Sequence, residues 1–168
     1  MGEIRHTEIK VGSNTILTCW DGDVDYELNQ MILIGLEGWD TYGTEISTER
    51  KLFGAGSYVV DKHLPERVVS LEIAEFNELS GLKASLDALK SIIKDFEEVR
   101  IIRTYEANGG TRTEELRGIV RAITDYEIIY DDFRRVGIEI LCPDPTMIIN
   151  GVIPPTPEEP ESACRRRF

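Results

Sequence analysis

Histidine and serine, two side chains that often carry nucleophilic or metal chemistry, are not spaced for it in this sequence. The chain has two histidines, His6 and His63, and neither has a neighbour at the interval of a zinc site or of an HExxH helix. The string Gly54-Ala55-Gly56-Ser57 has neither the GxSxG spacing of a nucleophile elbow nor the GxxxxGK[ST] spacing of a phosphate loop. We therefore expect no catalytic, cofactor-binding or metal-binding residues.

The densest group of carboxylates is Asp21-Gly22-Asp23-Val24-Asp25, whose alternating aspartates resemble the start of a calcium-binding loop. An EF-hand requires Gly at position six and Glu at position twelve, where this sequence has Tyr26 and Ile32. We interpret the stretch as an acidic turn between strands, with a bound cation as the alternative. A carboxylate pair for glycoside hydrolysis would meet only in the fold, and no pattern in the sequence supports one.

The composition is typical of one soluble globular domain. The chain has 168 residues, of which 41% are hydrophobic and 30% are charged. Its net charge of −12 argues against tight binding of nucleic acid, which depends on neutralising phosphates with Lys and Arg. The apolar runs are far shorter than the roughly 20 residues of a membrane span, and the N-terminus lacks the apolar core of a secretory signal. We expect the protein to fold in a cytoplasm.

The three cysteines, Cys19, Cys142 and Cys164, are too few and too scattered for a disulfide framework. We expect them to be reduced thiols. Because free cysteine is among the most buried residue types, Cys19 and Cys142 are expected to lie in the core as small hydrophobic residues.

The strongest periodic pattern in the sequence is helical. Leu82, Leu86 and Leu89 recur at spacings of three and four, which predicts one amphipathic α-helix over about residues 80–98. Alternating apolar residues before and after it predict β-strands. These strands cover residues 3–11, 15–20, 24–36, 68–73, 99–105, 115–124, 126–130 and 133–142.

Two segments outside this pattern are the predicted contact regions. Residues 38–67 are rich in Gly, Thr, Ser and charge, which predicts a long loop, and loops of that length tend to be functional or ordered by a partner. The last strand must stop at Pro143-Asp144-Pro145, so a domain of residues 1–148 is followed by a Pro/Glu-rich tail at 149–168. The predicted contact residues are Phe53, Tyr58, Val59, Val60, Pro154, Pro155, Arg166 and Phe168.

Three short motifs stand out within this order of elements. They are Ile34-Gly35-Leu36, Arg67-Val68-Val69-Ser70-Leu71-Glu72-Ile73 and the closing Val136-Gly137-Ile138-Glu139-Ile140-Leu141-Cys142-Pro143-Asp144-Pro145. Together with the order of the elements, they resemble the N-terminal, ring-forming domain of siphophage distal tail proteins. The resemblance covers roughly residues 24–148 and implies an α+β, mainly β fold, namely an antiparallel β-sandwich flanked by one helix.

The resemblance also implies a function, that of a non-enzymatic structural component of the virion. Such subunits form a hexameric ring between tail tube and tail tip and act as a hub for tip or receptor-binding proteins. The implied partners are further copies of the chain, together with tail-tube, tape-measure and tip or fibre proteins, while DNA only passes through the lumen. Many relatives continue into a second, often carbohydrate-binding, domain, and its absence from this sequence favours a hub over a host binder.

Two alternatives remain open at this level. The chain could be a tail-tube or tube-terminator protein of related fold, in which the same sheet and helix stack repeatedly. It could also be a small carbohydrate-binding module or hydrolase, whose site would draw on Asp23, Asp25 or His63.

Overall fold

The computed structural model describes residues 3–23, 25, 31–40, 45–51, 54–76, 81–107, 109–126 and 133–152. Within these residues the chain forms strands and one helix, numbered here in chain order. They are β1 (Ile4–Val11), β2 (Asn14–Gly22), β3 (Met31–Glu37), β4 (Glu45–Arg50), β5 (Ser57–His63), β6 (Arg67–Phe76), α1 (Gly81–Asp95), β7 (Glu98–Ala107), β8 (Gly110–Tyr126), β9 (Phe133–Cys142) and β10 (Ile148–Ile149).

Seven of the described strands close into a β-barrel. Their order around the wall is β8-β7-β1-β2-β3-β6-β9, and β9 pairs back onto β8. Neighbours run antiparallel except β2 and β3, which are parallel and meet at Trp20 and Ile32. The short β10 lies beside β8 at Glu114 and Glu115. The predicted antiparallel β-sandwich is therefore wrong, because the sheet closes on itself and contains a parallel pair.

Closure depends on the length of β8. Its first part, from Gly110 to Ile119, pairs with β7, and its second part, from Ile119 to Tyr126, pairs with β9. Gly118 lies near the changeover, where a Cβ would collide with the carbonyl oxygen of Leu141. A sandwich and a barrel share the same alternation of inward and outward side chains, so only these long-range pairings distinguish them.

The predicted helix is confirmed, although it is shorter than predicted. Leu82, Leu86 and Leu89 are fully buried in the same core as the inward side chains of the strands. The helix ends at Asp95 because Phe96 takes a left-handed backbone with φ of 52°. The amides of Phe96 and Glu97 then donate to the carbonyls of Ile93 and Ile92, each at 3.3 Å, which is the Schellman arrangement for ending a helix. No helix in the described ranges is both long and apolar enough to span a membrane.

The segment predicted as a long loop, residues 38–67, is not structureless. It contains β4 and β5, which pair with each other as an antiparallel hairpin. The last barrel strand ends at Cys142, as the prolines that follow it predict. Cys19 and Cys142 are buried, as expected, and Cys164 lies outside the described residues.

Candidate functional site: an arm and the polar clamp at its base

The hairpin of β4 and β5, Glu45–His63, is here called the arm. Its two strands form a sheet of their own, in which, among the described residues, each pairs only with the other. An isolated two-stranded hairpin is at best marginally stable in water. Val59, near the middle of β5, leaves 62% of its surface exposed. The described part of the arm is thus a separate hairpin with an exposed apolar side chain.

The base of the arm, by contrast, is held firmly. Gly38 follows β3 with φ of 78° and lies so close to the carbonyl of Val68 that no Cβ would fit. Arg67, at the start of β6, donates a hydrogen bond of 2.7 Å from its guanidinium to the carbonyl oxygen of Trp39. The two ends of the 38–67 segment are thereby tied together. We call these contacts of Gly38, Trp39 and Arg67 the neck.

Trp39 also connects the neck to the far wall of the barrel. Its side chain is buried, and its indole Nε1 donates to Glu114 Oε2 of β8 at 2.8 Å. The hydroxyl of Tyr105 donates to the same oxygen at 3.0 Å, and Arg112 donates from Nε to Glu114 Oε1 at 3.1 Å. A buried carboxylate with this many donors is well compensated for its desolvation. We call Trp39, Arg67, Tyr105 and Glu114 the clamp.

A second buried charge, Arg103 of β7, extends the clamp across the barrel. It donates to the hydroxyls of Tyr105 and Thr7, each at 3.0 Å, and to Asp21 Oδ2 of β2 at 2.7 Å. Burial alone would lower the pKa of Arg103, but the hydrogen bond and charge of Asp21 outweigh it and raise that pKa above its ordinary value. Arg5 also pairs with Asp21, at 3.2 Å. Both arginines meet Asp21 at Oδ2, so this carboxylate joins β1, β2 and β7.

The described residues bring no other reactive groups together. Among them, no cluster of three or more His, Cys, Asp or Glu could hold a metal ion. His6 lies against the ring of Trp20, with centroids 4.8 Å apart. Burial raises the pKa of Cys19 to about 12 and that of Cys142 to about 11, so both thiols are poor nucleophiles.

A surface depression of about 640 Å³ borders the clamp and is wide open to solvent. Its rim includes Glu3, Asp40 and Arg112, and Glu114 contributes to its lining. Glu114 accepts hydrogen bonds from Trp39, Tyr105 and Arg112, so its carboxylate joins these parts of the wall.

Three of the predicted contact residues lie in β5, and the others lie outside the described residues. Val59 is exposed on the arm, and the backbones of Tyr58 and Val60 lie in β5 beside it. The side chains of these two residues and of His63 are outside the described part. The remaining predicted contacts also lie outside the described residues, namely Phe53, Pro154, Pro155, Arg166 and Phe168.

Sequence reasoning missed the clamp, although a signal for it existed. Arg103 lies two residues after Ile101, and Glu114 two residues before Leu116, so both charges fall at inward-facing positions of their strands. A charge at an inward position must be paired there. The pair Gly38-Trp39 is a second signal. A glycine permits a sharp turn at the end of β3, and the large apolar side chain directly after it is expected to be buried.

The fold matches known structures although the sequence does not match known families. Neither a protein-family model nor a curated protein sequence matches this chain. The Dit protein of phage SPP1, described as a hub of the adsorption apparatus in phages infecting Gram-positive hosts, aligns with a TM-score of 0.53 and 14% identity over 84% of this chain and 51% of that one. This chain thus spans about half the length of that protein.

Two further similar structures come from the extracellular contractile injection system PVC. One is part of its sheath-tube complex, with a TM-score of 0.56 and 14% identity over 87% of this chain and 88% of that one. The other is from its sheath/tube terminator, with a TM-score of 0.51 and 14% identity over 85% and 91%. At such identities the likeness concerns the fold, and at that level the resemblance to distal tail proteins is confirmed.

Proposed function

We propose that this chain is a structural subunit of a phage tail, which assembles into a hexameric ring between the tail tube and the tail tip. The observation that carries the proposal is the barrel with one helix, which extends over most of the chain and is shared with the SPP1 Dit hub. In this role the ring is a hub on which tip or receptor-binding proteins are mounted. The protein acts by geometry and not by catalysis, and its place is the virion, after synthesis in the bacterial cytoplasm.

The arm supports a ring made through identical contacts. The barrel wall is closed by the β8–β9 pairing, so its strands offer little edge for another subunit to extend. The arm has two strands that pair only with each other among the described residues and an exposed Val59. A hairpin that reaches a different surface of the next copy makes a head-to-tail contact, and such contacts form a ring when the rotation closes.

The further partners follow from the position of such a ring. It contacts the tail-tube protein on one side and tip or fibre proteins on the other, the tape-measure protein lies within its lumen, and DNA passes through only in transit. The net charge of −12 suits a lumen that repels a polyanion and does not retain it.

Negative-stain electron microscopy of the purified chain tests the proposal. Single rings of uniform diameter are expected, and Val59→Asp on the arm should shift the population to monomers, because a charge would be buried at the contact. Ile34→Asp is the matched control, since Ile34 is an exposed apolar side chain on β3 outside the arm. Monomers only, at every concentration and also with tail partners added, would contradict the proposal.

A second candidate is a tail-tube or tube-terminator protein. It is favoured by the nearly complete mutual coverage with the PVC structures, whereas the chain covers about half of SPP1 Dit. The same micrographs bear on this candidate: tubes of indefinite length would favour a tube protein, and single rings would favour the hub.

A further inference from the structure

The end of α1 presents a large apolar side chain to solvent. Phe96 is 78% exposed, and its φ of 52° lies in the left-handed region, which favours glycine at this position of a helix end. A phenylalanine here buries little of its surface and strains the backbone. A side chain that lowers stability and adds no packing within its own chain is typical of a site that serves a partner.

Three carboxylates surround this phenylalanine. Asp95, Glu97 and Glu98 are all exposed, and no ion pair within the described ranges joins any of them to a Lys or Arg. They lie at the negative end of the helix dipole, where carboxylates are unfavourable, and Lys94 is the basic residue of the last turn. We call Asp95, Phe96, Glu97 and Glu98 the helix-end patch. It is an exposed apolar ring in a negative field.

One face of the arm has the complementary character. Val59 lies opposite Thr48 in the ladder of β4 and β5, and Arg50 lies opposite Ser57. Residues two apart in a strand share a face, so these four side chains lie together, while Glu49 points to the other face. All four are exposed, and in the part of the chain that is described Arg50 pairs with no carboxylate. We call Thr48, Arg50, Ser57 and Val59 the arm face.

We propose that the arm face of one copy binds the helix-end patch of the next copy. In this contact Val59 packs on the ring of Phe96, and Arg50 meets the carboxylate of Glu97. Arg50 is the last residue of β4, about 17 Å along the strand from Glu45, so it lies towards the tip of the hairpin. The inference rests on the proposed ring and names the surface that the arm reaches.

The charges favour this pairing over the other arrangements of two copies. Two helix-end patches facing each other would bring carboxylates together, and two arm faces would bring Arg50 against Arg50. Such juxtapositions of like charge are costly at an interface. The arm does not cover the patch of its own chain, since Val59 and Phe96 are 62% and 78% exposed. A contact between two unlike surfaces is heterologous, which is the kind that forms rings.

Disulfide trapping between two single-cysteine variants tests the contact in the full chain. V59C/C164S and F96C/C164S copies are mixed and mildly oxidised, and a crosslinked dimer is expected that neither variant gives alone. Cys19 and Cys142 do not compete, because both thiols are buried and have raised pKa values. V59C/C164S mixed with I34C/C164S is the matched control, since Ile34 is also an exposed apolar residue, and it should give no dimer.

Charge exchange tests the specificity of the crosslink. Adding R50E to the V59C copy should lower the rate of crosslinking by ~fivefold or more, and adding E97R to the F96C copy should do the same. The two changes together should restore the rate. K83E is the matched control for R50E, because Lys83 is an exposed residue near the start of α1 and the change in charge is the same. It should leave the rate unaltered.

Electron micrographs of the same mixtures separate this contact from the ring itself. Rings without the crosslink between V59C and F96C would overturn the contact and leave the ring standing, as would a crosslink whose rate R50E does not alter. Tubes that show the crosslink would retain the contact and contradict the single ring. Monomers without crosslinks would contradict both.

Discussion

Arg67 donates a hydrogen bond of 2.7 Å to the carbonyl oxygen of Trp39 across 28 positions of sequence, and both partners are buried. The contact joins the end of β3 to the start of β6 at the point where the arm leaves the barrel. The segment that carries the arm is therefore fixed to the barrel at this point.

Replacing Arg67 by Met should destabilise the protein and loosen the arm. The Trp39 carbonyl would lose its charged donor, which costs about 1.5–3 kcal/mol. Urea denaturation measures the free energy of unfolding, and hydrogen exchange at β4 and β5 should become faster. Arg121→Met, on the exposed surface, is the control and should change stability by no more than about 0.5 kcal/mol. Equal effects of the two variants would contradict a clamp at the neck.

Replacing Trp39 by Phe should reveal the contribution of the indole hydrogen bond. The ring stays, but Glu114 loses one donor, at a cost of about 1–3 kcal/mol. Tyr105→Phe removes the other donor to the same oxygen. Because both donors serve one carboxylate, the double variant should depart from additivity. Purely additive free energies of unfolding would show that the two bonds are independent.

Replacing Gly118 by Ala should disturb the closure of the barrel. The new methyl group would meet the carbonyl oxygen of Leu141 and the side chains of Ile140 and Cys142, and such overpacking costs about 1–3 kcal/mol. Gly109→Ala is the matched control, because a Cβ there meets nothing within 4 Å. Thermal unfolding of the two variants gives the comparison, and a neutral Gly118→Ala would mean that β8 and β9 separate easily.

Replacing Phe96 by Gly should stabilise the protein, although it deletes a large side chain. Phe96 is 78% exposed, so little burial is lost, and Gly relieves a left-handed backbone that costs an L-residue about 1 kcal/mol. Lys94→Gly, inside the last helical turn, should instead destabilise by about 1 kcal/mol. Chemical denaturation measures the free energy of unfolding of both variants. A loss of stability in Phe96→Gly would indicate that the phenyl ring of Phe96 packs on the protein.

Low pH should lower the free energy of unfolding of the protein partly through protonation of Glu115. The hydrogen bond from Arg100, opposed by burial and assisted by Arg117, lowers the pKa of this carboxyl from its ordinary 4.5. A group whose pKa is lower in the folded state stabilises above its unfolded pKa, and that stabilisation is lost as pH falls through the folded pKa. Glu115→Gln should therefore flatten the decline of stability below about pH 4.5. Parallel curves of unfolding free energy against pH would contradict this assignment.

The helix was predictable because its apolar stripe is local. Leu82, Leu86 and Leu89 specify one buried face within a few turns, and the structure buries all three. The barrel was not predictable, since its closure depends on Ile119 meeting Leu141, a pairing that no local pattern encodes. The arm was missed for a different reason. Its first strand, Glu45–Arg50, has a single apolar residue, Ile46, and so lacks the alternation by which strands are recognised.

The clamp could not be predicted from the sequence pattern either, although single charged residues indicated where it lies. Arg103 and Glu114 are visible as charges at inward positions, but their partners Asp21 and Trp39 come from distant parts of the chain. Identifying which charge meets which donor requires the register of β7 against β1 and β8.

The neck has a mechanical consequence. The C-terminal end of the arm leads through residues 64–66 into β6. β6 is paired with β9 along its whole length, from Arg67 opposite Cys142 to Phe76 opposite Phe133. A pull on the arm along these strands loads that ladder in shear, so its hydrogen bonds must break together and not one after another. A force applied to the arm in this direction is therefore resisted by the whole β6–β9 ladder at once.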